Sequence, residues 1–171
     1  MSDLAANEAK ILAIPGDMSL PAASIPMAVS GLFAGMGGGV AEVVWIGLYS
    51  EASDTSGLDV ARCVADTVFP GTFILPSAPA LGLTIHFCLS AMLGILLVQP
   101  LTSATIWRSG VLLPLCLGIL GLIWSLNFLL VLPVINPIFL ALLPTWATFV
   151  SKMLFGAALF GVLCYRRAKA G

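Results

Sequence analysis

Gly31-Leu32-Phe33-Ala34-Gly35-Met36-Gly37-Gly38-Gly39-Val40-Ala41-Glu42 is the stretch on which the fold turns. It lies in an apolar run, about 26–49, whose only charge is Glu42. A bilayer core takes about 20 mostly apolar residues per helix, and this run is long enough. Gly31, Gly35 and Gly39 recur at every fourth position, two consecutive GxxxG steps. Such spacing lets a second backbone approach closely, and van der Waals contact of this kind drives helix association in lipid. The partner is open: the second span, the fourth span or another subunit. Ala34, Gly38 and Glu42 continue the same spacing, so Glu42 is expected to face the packed seam and not lipid.

Three further apolar runs lie at about 79–99, 110–132 and 143–165, bounded by Pro79, Pro100, Gly110, Pro133 and Pro144. Pro144 suits the first turn of a helix, where a missing N–H costs nothing. Pro114, early in the third run, is expected to bend it mildly. The whole chain of 171 residues is 60% hydrophobic and 9% charged. Soluble domains carry about 25% charged residues, so the chain cannot clothe a surface in water. The expectation is an all-α protein: a four-helix transmembrane bundle forming one domain over 26–165, preceded by a segment 1–25 and followed by a basic tail, 166–171.

Charge sets the expected orientation. Arg166, Arg167 and Lys169 in the tail share a side with Arg108 and Lys10, while the other side has only Arg62 among Glu51, Asp54, Asp59 and Asp66. Both termini are therefore expected in the cytoplasm, in a cell (inner) membrane. Trp107 and Tyr165 mark the inner boundary, and Trp45, Tyr49 and Trp146 the outer one. Residues 1–24 lack the basic start of a cleavable signal. A net charge of -1 argues against a nucleic-acid partner. The expected partners are membrane lipid together with other membrane subunits or further copies of the chain.

Between the first two runs, residues 57–69 place Leu58, Ala61, Ala65 and Val68 at helical spacing. Asp59, Arg62 and Asp66 stand on the other side, spaced for mutual pairing. This predicts a short amphipathic helix on the outer surface, acting as a seal over the bundle, a lid or a docking platform.

Glu42, His86, Asn127 and Lys152 fall one to each apolar run. Glu42 precedes Tyr49 by seven residues, His86 follows Pro79 by seven, Asn127 precedes Pro133 by six and Lys152 follows Pro144 by eight. All four then lie ~9–12 Å from the outer edge. Ionisable groups at such depth are costly and mark functional sites. The simplest arrangement pairs Glu42 with Lys152, with His86 and Asn127 completing the hydrogen bonds. Three roles fit it: a polar lock that fixes helix order, a proton or ion relay through Glu42 and His86, and a ligand site for an anionic or quinone-like head group. Ser90 and Ser151 stand near His86 and Lys152, where serine ordinarily packs or bonds backbone.

No metal or cofactor is expected. His86 is the only histidine, which excludes bis-His haem within the chain, and one His with one Glu is too few for a closed zinc site. Cys63, Cys88, Cys116 and Cys164 are scattered and suggest neither a zinc site nor a disulfide framework. No phosphate loop, nucleophile elbow or HExxH is present, so no enzyme is expected.

At the second and fourth spans the chain resembles uncharacterised bacterial four-span inner-membrane families, whose paired helices read His-x3-small-x3-Gly or His-Leu-x-Tyr-Gly. The corresponding residues are His86-Phe87-Cys88-Leu89-Ser90-Ala91-Met92-Leu93-Gly94 and Lys152-Met153-Leu154-Phe155-Gly156. Lys152 stands where the family form has His, so a histidine pair does not carry over. The likeness implies the four-span fold and brings no activity. Gly156 joins Gly31, Gly35 and Gly39 as a candidate packing glycine. A parallel two-hairpin repeat is hinted at by Gly31, Gly39 and Trp45 against Gly110, Gly118 and Trp124, each 79 residues on. The sequence thus leads to a non-enzymatic accessory or assembly subunit of a larger membrane complex, or alternatively to a small proton-coupled transporter or channel acting as a homo-oligomer.

Overall fold

Four long apolar helices dominate the computed structural model, which describes residues 25–101 and 110–170. Lys10, Trp107 and Arg108, to which the sequence gives topological roles, lie outside the described residues. The elements are α1 (Ile25–Glu51), α2 (Gly57–Val68), α3 (Ala78–Leu101), α4 (Leu112–Leu126) with a π-helical turn (Asn127–Val131), α5 (Leu132–Ile135), α6 (Pro137–Leu142) and α7 (Thr145–Ala170). Among the described residues there is no strand. The four spans are α1, α3, α4 continued through α5, and α7. A span of 24 residues, such as Leu112–Ile135, reaches about 36 Å, enough to cross a ~30 Å hydrocarbon core. The protein is an integral membrane helical bundle.

The third span runs past its expected end. Pro133 has no N–H to offer Leu129, and its ring would crowd that carbonyl in a regular helix. The backbone widens into a π turn in which the Leu132 N–H bonds to the Asn127 carbonyl. The helix then continues to Ile135 and does not stop at 132. Pro114 sits in the first turn of α4, where its missing donor is no loss, so no bend is needed there. The helix of the fourth span begins at Thr145, with Pro144 just before it and not within its first turn, and extends beyond 165 to Ala170.

The spans stand in the order α3, α1, α7, α4, an open row in which α3 and α4 scarcely touch. They join chiefly at the end that carries the basic tail. There Ala34, Leu97, Val98, Leu101, Leu112, Cys116, Leu120, Phe155, Leu159 and Leu163 form one buried apolar cluster. At the opposite end the row is capped by α2 and α6.

The cap is built from local rules and one buried asparagine. Ser56 accepts from the Asp59 N–H at the start of α2, and Asp59 sits in the first turn, where a carboxylate suits the helix dipole. Asn136 accepts from the Phe139 N–H at the start of α6 and donates to the Cys63 carbonyl (3.2 Å) and Thr67 Oγ1 (2.9 Å). It is buried, and it fastens α6 to α2. Thr55 Oγ1 also donates to the Leu142 carbonyl at 3.1 Å. Of the expected apolar stripe on α2, Ala61 and Ala65 are buried, with Val60 and Cys63 beside them. Leu58 and Val68 are exposed. The charged trio also divides: Arg62 pairs with Asp59 at 2.8 Å, but Asp66 accepts the Gly71 and Phe73 N–H groups of the following loop. α2 can sit this low because α3 offers Gly82, where a Cβ would collide with the Ala61 carbonyl.

Candidate functional site

Glycine brings α1 and α3 into backbone contact. A Cβ on Gly31 would lie 2.7 Å from the Gly94 carbonyl oxygen, and one on Gly39 would lie 2.7 Å from Ser90 Oγ. A Cβ on Gly35 would overlap the Ser90 carbonyl, and one on Gly94 the Gly31 carbonyl. One register further round α1, Ala34, Gly38 and Glu42 face α7. Ala34 is buried, and a Cβ on Gly38 would meet the Phe155 ring at 2.8 Å. Gly156 stands over α4, where a Cβ would come within 2.9 Å of Leu120 Cδ1, a flexible side-chain end. Thus α1 is the central helix, close to α3 on one side and α7 on the other.

Glu42 lies in the crevice this creates, buried between its neighbours. Its Oε1 receives the Lys152 ammonium at 2.8 Å and the Ser151 hydroxyl at 3.1 Å, both from α7. Its Oε2 stands 3.9 Å from His86 Nε2 on α3. That nitrogen is 3.2 Å from the Gly39 carbonyl. Since Nε2 faces only acceptors, it carries the proton and donates to Gly39. Lys152 Nζ also lies 5.3 Å from the centroid of the Phe155 ring, within cation–π range.

The fourth member of the expected polar layer does not join. Asn127 opens the π turn, is exposed, and makes no side-chain hydrogen bond among the described residues. It lines the same cavity as Glu42, His86 and Lys152 without bonding to any of them. Ser151 takes the place expected of Asn127. Serine in a membrane helix carries little information by itself; its adjacency to Lys152 was the available signal.

These residues line a cavity of about 470 Å³. Glu42, His86, Ser151 and Lys152 supply one polar patch, Asn127 another. α2 forms the roof with Val60, Ala61 and Val64, and Phe139 and Leu143 close the side beside α6. Leu83, Leu89, Leu93, Phe128 and Leu132 flank the gap between α3 and α4. Leu83, Leu89 and Asn127 line the cavity and yet are exposed, so it opens sideways through that gap, and exposed Gly47, Leu58 and Val68 leave it open beside α2 as well. Between two membrane spans, such an opening faces the acyl chains.

Aromatic and hydroxyl contacts hold the walls. Trp45 Nε1 donates to the Ala147 carbonyl at 2.9 Å, tying α1 to α7. Trp124 Nε1 donates to Thr148 Oγ1 at 3.1 Å, tying α4 to α7. Trp146 packs edge-on against both Trp45 and Tyr49. Within the cap, burial pushes the Cys63 thiol up to about 11, with help from Asp66 and Asp59. Among the described residues no three His, Cys, Asp or Glu side chains stand together as a metal site. No family model, no curated protein and no solved structure matches the chain.

Proposed function

We propose that this chain is a non-enzymatic membrane protein that holds one amphipathic molecule, received sideways from the lipid between α3 and α4. The observation that carries the reading is the cavity itself. About 470 Å³ lies within the ~300–1,000 Å³ range of small-molecule sites and is far too small for a partner helix. A lateral mouth in which Leu83 and Leu89 face Asn127 leads to a few convergent polar groups, which suits a tail in lipid and a head at Glu42, His86 and Lys152. Glu42 is held by Lys152 and Ser151, while Lys152 keeps two ammonium donors unspent, which leaves the patch able to receive a head group. Following the distribution of basic residues, we place both termini in the cytoplasm and the capped end outside an inner membrane.

Native mass spectrometry of the protein released from nanodiscs tests this. One bound amphiphile per chain is expected, lost when Leu89→Trp fills the mouth. An apo protein whose mass is unaffected by lipid composition would remove the reading. An accessory role within a larger complex draws on a separate observation. Ile74, Val134 and Ile138 are 87%, 82% and 62% exposed at the capped end, an apolar rim open to another membrane subunit. A stoichiometric partner retained on gentle extraction, with the cavity empty, would favour that role. Transport through the chain would need a path past the buried cluster at the tail end, which is closed in this conformation.

A further inference from the structure

We propose that the molecule held in the cavity is a lipophilic anion, a single carboxylate or phosphate on an acyl-like tail, and that binding it takes up one proton at His86. This rests on the lateral-cavity reading and assigns its ligand class. The Lys152 ammonium turned to the cavity is a donor only, and His86 beside it becomes one at Nδ1 when it takes up a proton. Lys152 and His86 side chains are 21% and 23% exposed, while the Glu42 carboxylate lies beneath them at 6%. An ammonium has three donors and no acceptor, and Lys152 gives one of its three to Glu42. Glu42 is also the only acid among the lining residues, so an acceptor-rich head group meets no competing carboxylate at the surface.

Charge accounting then points to the histidine. Glu42 and Lys152 neutralise each other, and an added anion in a low-dielectric pocket is costly unless it is compensated. The groups facing His86 are Glu42 on α1 and Lys152 on α7. On α2, Asp59 and Arg62 pair with each other and Asp66 serves its own loop. α3 has no other charge, and α4, the π turn, α5 and α6 have none. His86 Nε2 already carries a proton, and Nδ1 has no hydrogen-bond partner among the described residues. A proton taken from water onto Nδ1 makes the imidazole a cation. It balances the anion's charge and converts Nδ1 from acceptor to donor, while Nε2–H keeps Gly39 and faces Glu42.

The test uses the full-length protein in phosphatidylcholine nanodiscs and two radiolabelled probes, hexadecane sulfonate and hexadecanol, counted against empty discs. The sulfonate is anionic at every pH used, so its own titration does not interfere. Sulfonate affinity is expected to fall by about tenfold or more from pH 6 to pH 8, one proton allowing at most about tenfold per unit. Hexadecanol binding should be weaker and flat. His86→Gln should flatten the sulfonate profile, and a weakly buffered titration of the unaltered protein should show about one proton taken up per sulfonate at pH 7.5. That last measurement decides the matter even if the variant fails to fold. Competition by hexadecanoate identifies a free acid as the source, and competition by a single-chain lysophospholipid phosphate identifies a lipid head group. No proton uptake, an unchanged slope in folded His86→Gln, or hexadecanol binding as tight as sulfonate at pH 6 would overturn the proposal while leaving the lateral cavity as a site. Binding of neither probe above empty discs would remove both.

Discussion

The two ends of the bundle solve the same packing problem differently. At the tail end, leucines of α3 and α4 mesh with Phe155, Leu159 and Leu163 of α7, leaving one dry cluster. At the capped end the same two helices part, and the space between them is roofed by α2 and α6. In lipid, apolar side chains gain little by leaving the solvent, so helices close only where shapes fit or polar groups must be satisfied. The tail end closes by shape. The capped end is held by a salt bridge, a buried asparagine and two indole hydrogen bonds, and these tie α1, α7, α4 and the cap without drawing α3 to α4. A cavity with a lateral mouth is the result.

The largest effect should come from breaking the pair that holds the capped end. Glu42→Gln strands the Lys152 ammonium, a loss of about 3–5 kcal/mol for a buried pair with one partner removed. Adding Lys152→Met should recover much of it. Thermal melting in detergent checks both, and a double variant no better than Glu42→Gln alone would refute the pairing. Leu120→Ala and Leu83→Ala compare the two ends directly. The first leaves a void in close-packed surroundings and should cost about 2–4 kcal/mol. The second enlarges a cavity that already exists and should cost under about 1 kcal/mol. Equal losses would mean that the capped end is packed as tightly as the tail end. Asn136→Ala removes the tie between α6 and α2 and should cost about 1 kcal/mol. Its sharper readout is Cys63, whose thiol at about 11 and full burial make alkylation slow at pH 7.5. Labelling of Cys63, followed by peptide mass spectrometry, should speed up when the cap loosens. An unchanged rate would show that Asn136 does not govern access to Cys63.

Much of this fold is legible in the sequence. Apolar runs broken by prolines and glycines marked four spans, because lipid leaves backbone polar groups no partner outside a helix. Where the reading slipped, the cause was tertiary. Pro133 was expected to end a helix, but a π turn absorbed it. Leu58, Ala61, Ala65 and Val68 mark the apolar side of α2 in the sequence, while which of them is buried is decided by contact with Gly82 and Asn136. Asp66 had pairing spacing toward Arg62 and served a loop instead.

The sequence by itself determined the class of molecule, the number of spans and the residues that had to be dealt with inside the membrane. Hydrophobicity and charge are local properties and can be read one run at a time. Only the tertiary structure decided that Ser151 joins Glu42, His86 and Lys152 while Asn127 stands apart, and that a cavity opens beside them. Which faces meet depends on the rotation of each helix about its own axis. That angle is set by glycine contacts and hydrogen bonds between segments far apart in the chain, such as Gly31 with Gly94, Glu42 with Lys152 and Asn136 with Cys63. No single apolar run contains that information.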